Sequence, residues 1–172
     1  MMRGRTVALR ALEPSDAELM YAWENDMELW VCGNTLKPFS LHDIRCYIES
    51  YSELDIYQSR QLRLMVVRAD DGTPVGMIDF FDFDPFHRRG GIGIMIHRPF
   101  REQGYAAEAL GLFVAYMVDF LGLKSLYATV AADNEPSIRL FEGAGFACTG
   151  VRKSWLRCGD EFKDELFLQY VV

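Results

Sequence analysis

Three groups of residues in this chain have types and spacings suited to chemistry. The first is Arg101-Glu102-Gln103-Gly104-Tyr105-Ala106, where a charged turn passes into an Ala- and Leu-rich run with no breaker before Gly122 apart from Gly111. Small residues at Gly104 and Ala106 let another group approach the free N–H groups of a helix's first turn, which also form the positive end of its dipole. Such a terminus is an anion site. The second group is Asp79, Asp82 and Asp84, set among Phe80, Phe81 and Phe83. On a regular strand Asp82 and Asp84 share a face and Asp79 lies on the other. Asp84, before Pro85, reads as a solvated strand end. Asp79 and Asp82 are costly to bury in an aromatic strand unless something pairs with them, and a cationic amine would be one such partner. The third group is Asn134-Glu135-Pro136-Ser137-Ile138-Arg139-Leu140-Phe141-Glu142-Gly143-Ala144-Gly145-Phe146, in which Asn134 is placed to cap a helix. His87 reads as a turn residue, with general base as its alternative role.

Other chemistries are excluded or disfavoured. There is no G-x-G-x-x-G after a first strand and no Lys-Ser/Thr pair of a P-loop. Cys32, Cys46, Cys148 and Cys158 are scattered, with neither a C-x-x-C pair nor a histidine at ligand spacing, so no metal site is expected. A net charge of −7 argues against nucleic-acid binding, which needs basic patches, and favours a cationic partner. The longest apolar run, from Ala109 to Val118, is too short to span a bilayer, and the N-terminus lacks a signal-peptide segment. A cytoplasmic protein without membrane partners is expected, and 172 residues with no linker or repeat read as one domain.

The elements that must position these groups follow from periodicity. Residues 6–12 alternate as a first strand, closed by Glu13-Pro14. Ser15-Asp16-Ala17-Glu18 reads as a capping box, followed by Leu19, Ala22, Trp23, Met27 and Trp30 at helical spacing. A second helix starts at Ser40 with Leu41, Ile44, Tyr47, Ile48 and Tyr51 on one face. Residues 62–68 and 74–83 are strands joined by Asp70-Asp71-Gly72. Gly91 to Ile96 is a strand whose glycines mark a bulge or a place where a ligand lies against the backbone. A helix over 104–121 ends at Gly122, residues 125–130 form a strand that carries Tyr127, and residues 148–156 and 162–170 close the chain as a hairpin.

Arg101 to Ala106 resembles the R/Q-x-x-G-x-G/A signature of the GNAT superfamily of acyl-CoA-dependent N-acetyltransferases. Asn134 to Phe146 resembles its N-x-x-[SA]-x-x-[LF]-[YF]-x-x-x-GF stretch, in the family's order and at about its spacing. The resemblance covers essentially the whole chain. It implies an α/β (α+β) fold: an open, mixed, mostly antiparallel sheet of about seven strands with helices on both faces. It implies acetyl-CoA as co-substrate, its pyrophosphate on the turn of Arg101, Glu102, Gln103, Gly104, Tyr105 and Ala106. Strand amides near Met95 and Ile96 would orient it, the strand splaying to admit the pantetheine arm, with Asn134, Ser137 and Phe141 beside that arm. The first two helices would wall the acceptor pocket, with Trp23, Trp30 and Tyr51 as contacts or simply core.

Within the superfamily, the opening Leu9-Arg10-x-Leu12-Glu13-x-x-Asp16 and the Trp23-Glu24-Asn25-Asp26 segment resemble the branch of spermidine and ribosomal-protein alanine acetyltransferases. Asp79 and Asp82 three apart, followed by His87-Arg88-Arg89, resemble the polyamine members. The resemblance therefore implies acetyl transfer to a primary amine such as spermidine through a ternary complex. The alternatives are a protein N-terminus as acceptor and an acyl-CoA-binding module without turnover. A homo-oligomer is an open expectation. Two departures matter. Gly90-Gly91 stand where many relatives have Ala-Glu, so the glutamate often cast as general base is missing, and Phe141 stands where many have the tyrosine acid. Asp82 or Asp79 is then the candidate base. Tyr127, on the neighbouring strand, is a candidate donor to the leaving thiolate with core packing as its favoured role. Because a CoA thiolate leaves readily, water is expected to protonate it after departure, and turnover is expected to persist without an essential tyrosine.

Overall fold

The computed structural model describes residues 1–30 and 35–172, so Cys32 lies outside the described residues. In chain order the elements are β1 (Met2–Arg3), β2 (Val7–Arg10), a 3-10 turn (Pro14–Asp16), α1 (Ala17–Glu24), α2 (Met27–Trp30), α3 (Leu41–Ser52), α4 (Ile56–Ser59), β3 (Leu62–Arg68), β4 (Pro74–Asp84) and β5 (Arg89–Ile96). After a second 3-10 turn (Arg98–Phe100) come α5 (Tyr105–Ala115), a π-helical turn (Tyr116–Phe120), β6 (Ser125–Ala131), α6 (Glu135–Gly143), β7 (Ala147–Cys158) and β8 (Glu161–Val171). Among the described residues eight strands form one open sheet in the order β1-β2-β3-β4-β5-β6-β8-β7. Every neighbouring pair is antiparallel except β5 and β6. The strand beyond the expected seven is the two-residue β1, too short to leave a periodic signal.

Alternation along the strands makes two cores, one on each face of the sheet. Val66, Ile78, Phe80, Ile92, Leu126 and Leu168 pack beneath Leu110 and Phe113 of α5, Met117 of the π-helical turn and Phe141 of α6. On the opposite face Ala8, Met65, Val67 and Met77 pack beneath Met20 and Trp23 of α1 and Ile44 and Ile48 of α3. Each large side chain buried this way stabilises the fold by about 1.5–3 kcal/mol. The α3 start is as the sequence predicts: Ser40 caps the helix, accepting from the Asp43 N–H while Asp43 accepts from the Ser40 N–H.

The first helix starts differently. Ser15 and Glu18 do not form the capping box; Glu13 and Asp16 do, around a 3-10 turn with Pro14 in its first positions. Asp16 is recruited by Arg10, whose guanidinium grips both carboxylate oxygens at 2.7 Å, and it also accepts the Glu13 N–H at 2.8 Å. The pair locks the end of β2 to the start of α1. Burial alone would raise the Asp16 carboxyl, but the Arg10 fork, the Glu13 N–H and the Arg10 charge outweigh it and hold the group below the ordinary aspartate value. A carboxyl with a lowered folded pKa stabilises fully above its unfolded pKa, and that stability is lost as pH falls through the folded value. With Asp16 only 4 % exposed, Asp16→Ala should cost about 3 kcal/mol at neutral pH by stranding the Arg10 charge. The gap to wild type should narrow below about pH 4. Urea melts at both pH values check this, and an unchanged neutral midpoint would contradict it.

Candidate active site

The strand β5 pairs with β4 from Gly76↔Ile96 down to Phe81↔Gly91. With β6 it pairs only over Arg89–Gly91 against Ser125–Tyr127. Beyond Gly91 and Tyr127 the two strands part, because β6 continues along β8 as far as Ala131↔Glu165 while β5 stays with β4. The backbone edge of Ile92–Ile96 that faces away from β4 therefore borders a gap, Met95 and Ile96 included. At the carboxyl ends of these parallel strands two helices begin, α5 after Gly104 and α6 after Asn134. This is where open α/β sheets take ligands.

Gly104 sits at φ 80°, and α5 starts there with no side chain capping its first N–H groups, those of Tyr105 and Ala106 among them. A Cβ on Gly104 would meet no atom within 4 Å, so the approach to the helix start is open. The preceding loop is tied back to the strand. Arg101 Nε donates to the Ile96 carbonyl at 2.9 Å, Gln103 Nε2 donates to the Pro99 carbonyl at 3.2 Å, and Glu102 adopts a left-handed φ of 61°. Across the gap Asn134 caps α6 by accepting the Ser137 N–H at 3.3 Å. The arrangement fits a pyrophosphate at the α5 start. Phe141 is corrected to a core residue: it is 3 % exposed and packs edge-on against Phe146, centroids 5.1 Å apart, because its position on α6 turns inward. Between α5 and α6 lies a cavity of about 470 Å³, lined by Ala107, Gly111, Val114, Arg139, Leu140 and Tyr170 among others.

The carboxylates separate into three situations. Asp79 is held by Arg63, whose Nε and Nη2 donate to its two oxygens at 2.6 and 3.1 Å while Nη1 bonds Glu24. Arg63 also lies over the Tyr47 ring, and the Tyr51 hydroxyl accepts the Arg63 N–H. The partner that burial demanded for Asp79 is thus an arginine across the β3–β4 ladder, and the candidate base is corrected to half of an ion pair. Asp84 accepts the His87 N–H at 3.0 Å and pairs with Arg89 at 3.4 Å, closing the turn in which His87 sits. Asp82 and Asp84 do not share a regular strand face, because the β4–β5 register slips between Phe81 and Asp84 and Asp82 takes a φ of 52°. This bulge turns the exposed Asp82 carboxylate onto the Tyr127 hydroxyl, 2.8 Å away.

Tyr127 is stacked on Phe167, centroids 5.1 Å apart, and lies perpendicular to Phe81 at 5.9 Å. Burial, then the Asp82 bond and charge, push its phenol up to about 12. Phe81 also explains the missing glutamate: a Cβ on Gly91 would lie 2.3 Å from the Phe81 ring, and one on Gly90 equally close to Phe80. Aromatic rings cover both glycines, on opposite faces. Trp23 is core, 3 % exposed and 5.5 Å from the His97 ring, while the Trp30 indole N–H is spent on the Glu24 carbonyl at 2.7 Å. Sequence reasoning missed a second buried carboxylate, Glu165, which Arg152 binds at 2.7 Å while lying over Trp155 and Phe167.

Comparison with known proteins gives the class. The chain is 29 % identical over 147 residues to an uncharacterised prophage-derived N-acetyltransferase, YokL, of Bacillus subtilis, covering 86 % of this chain and 79 % of that one. It is 24 % identical over 150 residues to spermidine N(1)-acetyltransferase of Escherichia coli K12, covering 87 % and 77 %. The crystal structure of spermidine N-acetyltransferase from Vibrio cholerae in complex with CoA and spermine superposes with a TM-score of 0.85 at 20 % identity, covering 96 % of this chain and 95 % of that one. The fold is therefore that of an N-acetyltransferase. Residues 6–147 match the acetyltransferase (GNAT) domain, and the chain belongs to the GNAT family of N-acetyltransferases, whose co-substrate is acetyl-CoA. Among the described residues no helix is long and apolar enough to cross a membrane.

Proposed function

We propose that the acceptor is a cationic primary amine of the polyamine class, which attacks the thioester directly while both substrates are bound. The observation that carries this reading is Asp82: an exposed carboxylate beside the parting of β5 and β6, bonded to a phenol instead of neutralised by a cation. A net charge of −7 adds a field that draws polycations to the surface. Relatives that bear the name spermidine N(1)-acetyltransferase, and a neighbour crystallised with CoA and spermine, support the same class. Residues 1–172 would act as one catalytic unit. The pyrophosphate would lie on the N–H groups of Tyr105 and Ala106, and the pantetheine arm would follow the β5 edge past Met95 and Ile96, with Asn134 and Ser137 on its other side. Holding the amine against the thioester is then the main source of rate.

Release of CoA thiol with a panel of amines tests this. Spermidine and spermine should react about tenfold or more faster than a monoamine with a neutral tail, and added salt should shrink the advantage as exposed charge is screened. Equal rates at all salt concentrations would overturn the polyamine assignment. A preference for an alanine-led peptide would transfer it to protein N-termini. Acetyl-CoA binding without thiol release from any amine would leave a binding module.

A further inference from the structure

Asp82 and Tyr127 lie forty-five residues apart in sequence, and the fold brings them together at one point. Tyr127 is the last residue of β6 paired with β5, opposite Gly91, and so stands at the vertex of the gap. Three contacts fix its ring: Phe167 stacked on it, Phe81 perpendicular to it, and the Asp82 carboxylate on its hydroxyl. Asp82 reaches that hydroxyl only because the β4 bulge places it at a φ of 52°. Bulges beside active sites re-aim single side chains, and non-glycine residues held at positive φ concentrate at functional sites. Asp79, Asp84 and Glu165 are each committed to an arginine, whereas Asp82 keeps an acceptor–donor partner through which a proton can pass.

We propose that Asp82 and Tyr127 form a proton relay for acetyl transfer, a step that rests on the amine-acetylation reading above. Asp82 accepts one proton from the acceptor ammonium, freeing the nitrogen lone pair. The C–N bond to the acetyl carbon forms and the C–S bond breaks, the sulfur leaving with the electron pair. Tyr127 gives its phenolic proton to that thiolate and takes the proton held on Asp82, which returns both groups to their starting states. The second ammonium proton goes to solvent as the amide forms, so one proton ends on CoA thiol and one in water. While Asp82 is ionised its charge keeps the phenol protonated; once Asp82 has been protonated that restraint is gone and Tyr127 can donate. The relay thereby orders the two transfers.

The variants are Asp82→Asn, Tyr127→Phe and the double variant, assayed with acetyl-CoA and the best amine of the panel. Each single variant should lose about 10²-fold or more in kcat, with acetyl-CoA affinity by calorimetry unchanged. Because the two groups act as a unit, the double variant should be no worse than the poorer single. Asp82→Asn should regain rate as pH rises through the acceptor's own pKa, where the amine no longer needs a base; a merely structural role would not move with pH in this way. On the resting protein, the ¹³Cζ resonance of Tyr127 should shift in Asp82→Asn, reporting the bond without turnover. Single variants within threefold of wild-type kcat, or additive losses in the double variant, would overturn the relay. A wild-type protein that acetylates no amine would overturn the reading beneath it.

Discussion

Gly104→Glu should abolish measurable acetyl-CoA binding while leaving a folded protein. At φ 80° a glutamate pays a left-handed backbone cost of about 1–2 kcal/mol, which a domain of this size survives. Since a Cβ at Gly104 meets nothing within 4 Å, no clash forces the chain apart. The new side chain instead occupies the open space before the first N–H groups of α5, and its carboxylate competes for the site where the pyrophosphate would bind. Lost hydrogen bonds and like-charge repulsion together should exceed 4 kcal/mol, a loss of about 10³-fold or more in affinity. Gly104→Asn separates the causes, because asparagine tolerates the left-handed conformation and adds no charge; it should fold normally and lose far less. Calorimetry with CoA reads both variants. Wild-type affinity in folded Gly104→Glu would move the cofactor away from this helix start.

Gly91→Glu, which restores the residue many relatives carry, should damage this protein. Its Cβ would lie 2.3 Å from a Phe81 ring that packs over Gly91 and abuts Tyr127. Overpacking of this kind costs about 1–3 kcal/mol or more, which for a chain of this length lowers Tm by roughly 2–12 °C. The displaced ring would also push Tyr127 off its position, so turnover should fall with stability. The double variant Gly91→Glu/Phe81→Ala vacates that space and should recover much of the Tm. Thermal melts settle the matter: a Gly91→Glu variant melting with wild type would mean that Phe81 does not fill the site. If the prediction holds, the glycine and the phenylalanine have to change together.

Much of the fold was legible because its signals are local. β3 follows from an apolar run closed by the Asp70-Asp71-Gly72 turn, the α3 start from Ser40, the α6 start from Asn134, and the end of the long helix from Gly122 at φ 70°. The site was legible where it consists of backbone, as at Gly104, and less so where side chains meet across the sheet. Arg63 and Asp79 lie sixteen residues apart in sequence and are joined only by the β3–β4 register, which no spacing rule supplies. The bulge at Asp82 carries no glycine or proline to announce it, so a regular strand placed that carboxylate on the wrong face. The move of the first capping box from Ser15 to Glu13 has the same origin, since Arg10 selects Asp16 through a contact between elements. Phe141 was assigned from its place in a signature, whereas its burial depends on how α6 rolls onto Phe146.

The ladder of only three residues between β5 and β6 has a mechanical consequence. It divides the sheet into a five-stranded plate, β1 to β5, and a three-stranded plate, β6, β8 and β7, each continuously hydrogen-bonded within itself. Beyond that seam, with the Arg88 carbonyl accepting from Lys124 and Ser125 N–H at its end and the Tyr127–Asp82 bond beside it, the plates meet through apolar packing beneath α5, which resists separation yet tolerates sliding because it is non-directional. A small rotation about the seam would widen or narrow the mouth without costing either plate a single rung. Tyr127 lies on the seam itself, where such a rotation displaces atoms least, so its distance to Asp82 can be kept while the far end of the gap admits and releases something as large as a coenzyme.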